Sequence, residues 1–184
     1  MTAFRYVPIE VLAVAVLVGL LAAAGAVLPS LRRRETAAAA VIATRVLLVG
    51  SVLAVLAVTM MSGAGGTGVN LMPGAGIRSA LSNVNRDLGL LNLLGNVVMF
   101  APVGFLASIG TRLRFRGVVG ACLVLSAAVE VLQLMLGRSL DVDDVLLNTL
   151  GGAAGAALGL ALLATLPRVR RSRRLEEGSV VPPQ

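Results

Sequence analysis

Long apolar runs separated by short polar segments dominate the chain. Residues 7–29, 41–61, 89–110, 117–136 and 145–166 are almost unbroken in hydrophobicity. A helix needs about 20 residues to cross the hydrocarbon core of a bilayer, and each run is of that length. None has the two-residue alternation of a barrel strand that faces lipid. The pattern predicts an all-α fold, a multi-pass transmembrane helix bundle of five spans. Inside those spans only Glu10, Arg45 and Glu130 carry charge. The first run is longer than the apolar part of a secretory signal, and arginines follow it, so it is read as a retained span.

The loops set the orientation. Arg32, Arg33 and Arg34 follow the first span, and Arg45 opens the second. Arg112, Arg114 and Arg116 separate the third and fourth, and Arg168, Arg170, Arg171, Arg173 and Arg174 follow the fifth. If the spans alternate, these arginines share one side, against Arg5, Arg78, Arg86 and Arg138 on the other. The positive-inside bias puts the larger group in the cytoplasm, with the N-terminus outside and the C-terminus inside. The chain then divides into two N-terminal spans (1–61), an extracytoplasmic Gly-rich loop (62–88, partly helical near Arg78–Leu88), three further spans, and a basic cytoplasmic tail (167–184) expected to be disordered.

Composition narrows the function classes. Of the 184 residues, 57% are hydrophobic and 14% charged. Soluble domains average about 45–50% and about 25%, so a soluble enzyme, a disordered chain and a coiled coil are all excluded. The net charge of +7 comes from arginines that topology already explains, and with no Trp and one Tyr there is little to stack nucleic-acid bases. No nucleic-acid partner is expected. Cys122 is the single cysteine and His is absent, which excludes an intrachain disulfide, a His-based triad and a His-ligated zinc.

Polar groups gather at one depth. Asn92 and Asn96 are four apart at the outer end of the third span, just after Arg86 and Asp87. Ser126, Glu130 and Gln133 follow helical spacing in the outer half of the fourth. At 1.5 Å per residue Glu130 lies roughly 9 Å below the outer boundary. The segment from Gly137 and Arg138 to Asp144 is outside, and Asp141, Asp144 and Asn148 form one face entering the fifth span. Each group also has an ordinary structural reading. The asparagines can bond across helices, an aspartate can cap a helix start, and Arg86 and Arg138 can be interface anchors. A carboxyl within a span is costly and needs a polar setting, with Arg138 or Arg86 as counter-charge to Glu130. Gly151, Gly155 and Gly159 mark a close helix-packing face. Pro102 is expected to kink the third span and open space opposite Glu130.

Three blocks together resemble the VanZ-like family: Asn92-Leu-Leu-Gly-Asn96 through Phe100-Ala-Pro102-Val-Gly104; Ser126, Glu130 and Gln133; and Gly137-Arg138-Ser139 through Asp141, Asp143, Asp144, Asn148, Gly151 and Gly152. The likeness covers roughly 70–166, including Asn70-Leu-Met-Pro73, and no comparable motif stands in the first two spans. Gly74 is a departure, since the family often has Phe after that proline. The resemblance implies a multi-pass protein of the bacterial cell membrane and a link to low-level resistance to the glycopeptide teicoplanin. It implies no reaction.

The leading expectation is a non-enzymatic binder of a membrane lipid head group or other amphiphile at the outer leaflet. Its candidate site residues are Arg86, Asn92, Asn96, Ser126, Glu130, Gln133, Arg138, Asp141, Asp144 and Asn148. No cofactor is required, and a homo-oligomer is allowed. The alternative is an intramembrane enzyme acting on a lipid-linked cell-wall precursor, with Mg²⁺ held by Asp141, Asp143 and Asp144 and with Glu130 as acid or base. A lone transporter has little support without repeats or broken-helix pairs.

Overall fold

The computed structural model describes residues 37–61, 68–82 and 86–165. Helix α1 (Ala37–Met61) precedes strand β1 (Val69–Asn70), the short helix α2 (Ala75–Ser82) and the long helices α3 (Arg86–Gly110) and α4 (Phe115–Met135). Strand β2 (Leu140–Asp141) then runs directly into α5 (Val142–Thr165). Helices α1, α3, α4 and α5 are each long and apolar enough to cross a membrane. The expected first span at 7–29, residues 62–67 of the Gly-rich loop and the basic tail lie outside the described residues.

The helices are apolar outside and partly polar inside, the arrangement that suits a lipid solvent. Ile42, Val46, Leu53, Val124, Leu150 and Leu158 are exposed, whereas Thr44, Ser51, Thr59, Ser108, Ser126, Gln133 and Asn148 are buried. Hydrocarbon gives no hydrophobic drive for helices to associate, so close packing and buried polar contacts must hold them. On α1 the buried positions Thr44, Ser51, Val55 and Thr59 share one face. Ser51 Oγ and Thr59 Oγ1 donate to the carbonyls of Leu47 and Val55 in their own helix, at 2.7 and 2.8 Å.

The largest interface lies between α3 and α5. Val97 stands opposite Gly151, Ala101 opposite Gly155 and Phe105 opposite Gly159, so the two helices run in the same direction. A Cβ at Gly151 or Gly155 would collide with the carbonyl oxygen of Val97 or Ala101, and one at Gly104 with that of Gly152. Both helices therefore contribute glycine to a backbone-to-backbone contact. Helix α4 covers the seam, with Cys122 against Gly152, and α1 meets α3 where Thr44 touches Gly110. Helix α3 is a single helix through Pro102, which is buried.

The two ends of the bundle differ in charge. At one end Arg45 Nε donates to the Gly110 carbonyl at 3.3 Å, close to the exposed Arg112, Arg114 and Arg116. At the other end, α1 finishes, α3 and α5 begin, and β1 pairs in parallel with β2, Val69 with Leu140 and Asn70 with Asp141. Leu140 N also donates to the Gly68 carbonyl at 2.9 Å. Neither strand is foreseeable from hydrophobic pattern, because two residues are too few to show a period. Of the residues near Arg78–Leu88 expected to be partly helical, those up to Ser82 belong to α2, which lies against α3 where Gly89 meets the Ala80 backbone, and those from Arg86 open α3.

Two turns shape this second end. Ala75 N bonds the Met72 carbonyl at 3.1 Å, closing a turn with Pro73 and Gly74 at its centre. Gly74 has φ +83°, the left-handed value that the third residue of a type II turn requires. That requirement accounts for glycine at this position. Helix α4 ends in a Schellman motif: Arg138 N donates to the Gln133 carbonyl and Gly137 N to that of Leu134, both at 3.0 Å, with Gly137 at φ +76°. Replacing Gly137 by alanine should cost about 1 kcal/mol, because a Cβ disfavours left-handed backbone, and asparagine should cost less. Thermal unfolding of the purified variants in one detergent reads the order Gly137, Gly137→Asn, Gly137→Ala.

Candidate functional site

The end of the bundle opposite Arg112–Arg116 holds a buried polar cluster drawn from six segments. Its centre is Glu130, one helical turn beyond Ser126 on the same face of α4, and only 3% exposed. Glu130 Oε2 accepts from the backbone N–H of Asp141 at 3.0 Å. That bond ties the last turn of α4 to the first residue before α5. Asp141 is the N-cap of α5: its Oδ1 accepts from Asp143 N at 2.9 Å. Its Oδ2 accepts from Asn70 Nδ2 at 3.1 Å. Asn70 in turn accepts from Met72 N through Oδ1 at 3.2 Å, starting the turn into α2.

Asp143 is 1% exposed, and its carboxylate caps a different helix from its own. It accepts from Gly74 N at 2.6 Å and Ile77 N at 3.1 Å, at the start of α2. The first amides of a helix have no partners within it, so an acid from elsewhere in the fold is a favoured cap. Gly76 has no side chain to intrude: a Cβ there would press on Asp141 Oδ2 and Asp143 Oδ2. Asp144 accepts from Asn96 Nδ2, joining α5 to α3. One turn further along, Asn148 Nδ2 donates to Ser126 Oγ at 2.9 Å, joining α5 to α4.

Arg138 leaves the Schellman turn toward α1. Its Nη1 donates to the Thr59 carbonyl, near the end of α1. The Gln133 amide donates through Nε2 to Glu130 Oε1 at 3.1 Å and accepts through Oε1 from Arg138 Nη1 at 3.2 Å, which links Arg138 to Glu130 through an amide.

The structure thus brings together Asn96, Ser126, Glu130, Gln133, Arg138, Asp141, Asp144 and Asn148. It does not bring in Arg86 or Asn92. Both are exposed on α3 and bond to no member of the cluster. Asn92 lies one turn nearer the start of α3 than Asn96 and stays exposed there. Of the two arginines expected as counter-charge to Glu130, Arg138 reaches it through the Gln133 amide without a direct ion pair, whereas Arg86 stays exposed on α3.

The Mg²⁺ expectation loses its donors. Asp141 and Asp143 spend their oxygens on amides, and Asp144 faces Asn96. Among the described residues no three acidic or sulfur side chains are placed to share a metal ion. Carboxylates that cap helices at the required spacing read in a sequence just as ligands do.

Two buried atoms of the cluster have no partner: Arg138 Nε and Asn148 Oδ1. Sequence reasoning missed the Thr59 carbonyl, which carries no side-chain signal, and the capping role of Asp143. The Asn70-Leu-Met-Pro73-Gly74 run was a legible turn, and a turn opening a helix needs a cap.

No curated protein and no solved structure matches the chain. A family model does, that of VanZ/LLP1, over residues 38–164. The match begins in α1, which carries no motif of its own, and α1 is the helix whose Thr59 carbonyl receives Arg138. Covering more than half of the sequence, with the motif residues gathered at one end of the bundle, this match establishes that the chain belongs to the VanZ/LLP1 family.

Proposed function

We propose that this membrane protein binds the polar head of a lipid or other amphiphile at the extracytoplasmic end of its helix bundle, in the bacterial cell membrane. One observation carries the reading: a carboxyl, a guanidinium and an amide share a buried cluster within spanning helices, yet Arg138 Nε and Asn148 Oδ1 stay unpartnered. Leaving a buried polar atom unsatisfied costs about 1–3 kcal/mol. A head group supplying the missing donor and acceptor offsets that cost, while its chains lie along the exposed apolar faces of α4 and α5. Lipid-bearing glycopeptides are amphiphiles of this kind, so a contribution to teicoplanin-type tolerance is part of the proposal, supported by family membership.

Native mass spectrometry of the purified full chain tests it. The wild type should retain an amphiphile, and Glu130→Gln combined with Asp144→Asn should retain about tenfold less, the equivalent of one weakened charge-assisted hydrogen bond. In a Cys122→Ser background, Ser139→Cys should be labelled on intact cells by an impermeant maleimide. Unchanged retention in the double variant, or labelling only after lysis, would overturn the reading.

A further inference from the structure

We infer that the head group held here carries a primary ammonium, with Glu130, Asp144 and Asn148 as its three acceptors. The inference deepens the binding reading and rests on it. Charge is the first observation. Among the described residues, Glu130, Asp141, Asp143 and Asp144 meet at this end with Arg138 as the one arginine in the cluster. Arg78 and Arg86 are exposed and bond to none of them. An anionic head group alone would add to a surplus of negative charge that lipid screens poorly.

The second observation concerns which acceptors remain. Asp141 and Asp143 already hold both oxygens on N–H groups of the chain, where they cap α5, the Asn70 turn and α2. Glu130 Oε2 accepts from Asp141 N and Oε1 from Gln133 Nε2, and each oxygen keeps a further lone pair for another donor. Asp144 Oδ1 is taken by Asn96, leaving Oδ2 without a partner among the described residues. Independently of the acids, Asn148 is 2% exposed, gives its Nδ2 to Ser126, and keeps a buried Oδ1 with no donor.

The residues that carry these acceptors are tied together by one bond. Ser126 and Glu130 are four apart on α4, and Asn148 and Asp144 are four apart on α5. The Ser126–Asn148 bond locks the two faces together one turn below the carboxylates. Four residues rise about 6 Å, so Glu130 and Asp144 stand one turn nearer the end of the bundle than the Ser126–Asn148 pair, on adjoining faces of α4 and α5. A primary ammonium has three N–H donors for three acceptors, whereas a quaternary ammonium has none. Arg138 Nε, also without a partner, lies on the Gln133 side and suits a phosphate attached to the same head group.

The test offers the detergent-solubilised full chain short-chain phosphatidylethanolamine, phosphatidylcholine and phosphatidylglycerol in equal amounts, with retention read by native mass spectrometry. Phosphatidylethanolamine should be retained about tenfold over each of the others. Asp144→Asn, Glu130→Gln and Asn148→Leu should each abolish that preference, with thermal unfolding confirming that at least the two isosteric variants fold. Displacement of the lipid by O-phosphoethanolamine supports the ammonium and assigns it to a soluble amine. Equal retention of all three lipids, or a preference that survives the substitutions, overturns the ammonium while binding stands. Retention of no lipid overturns both.

Discussion

Replacing Gly155 by leucine should yield no monodisperse protein. A single Cβ at that position would already overlap the carbonyl oxygen of Ala101, and the Phe105 amide nitrogen lies just beyond. Both are backbone atoms of α3, so no rotamer change relieves the contact and the helices must separate. Overpacking a well-filled interior costs about 1–3 kcal/mol, and a displaced backbone costs more. Lipid offers no compensating hydrophobic term, because a separated helix face is as content in hydrocarbon as against another helix. The loss extends beyond the seam: α3 carries Asn96 and α5 carries Asp144 and Asn148, and those pairings depend on the same helix separation. Size-exclusion chromatography of a fluorescent fusion reads the result. Ala157→Leu, two residues away on an exposed face of the same helix, should elute as the wild type does. If Gly155→Leu elutes and melts like the wild type, the close α3–α5 contact is wrong.

The long helices were legible because their signal is long. Twenty apolar residues leave little choice of structure in lipid, and α3, α4 and α5 begin within three residues of the expected starts at 89, 117 and 145. The segments between them were not legible in the same way. Strands β1 and β2 pair two residues each, residues that lie about seventy positions apart, and no local pattern announces such a partner. The acids illustrate the same limit at the site. Asp141, Asp143 and Asp144 were visible as a cluster at helical spacing, but which of them caps, which crosses to another helix and which keeps a free oxygen depends on α2 and on Asn70 and Asn96. The burial of Glu130 followed from its place within a span, where a carboxyl needs polar company. Its bond to a backbone amide of the Gly137–Asp141 turn did not, because chain reversal geometry decides it.

Asp143→Ala should release the segment from Gly74 through α2 while leaving the four long helices paired. The carboxylate is the cap of α2, receiving Gly74 N and Ile77 N, and it is almost fully buried. Helix α2 spans only Ala75–Ser82 and has no buried residue of its own. A helix this short is not stable by itself in water, so its cap and its contact with Gly89 must hold it. Hydrogen bonds to a charged acceptor contribute about 1.5–3 kcal/mol each, and losing two should speed amide exchange in 74–82 by roughly a hundredfold to ten-thousandfold. The adjoining strand pair has separate anchors in Leu140 N to the Gly68 carbonyl and Asn70 to Asp141. Exchange at Leu140 should therefore stay slow. Asp143→Asn, which keeps one acceptor oxygen without the charge, should fall between the wild type and the alanine variant. Hydrogen–deuterium exchange of the three proteins in the same detergent separates a local cap from a general support of α5. If 74–82 exchanges unchanged while the start of α5 frays, Asp143 serves its own helix and the tie to α2 is not a stabilising one.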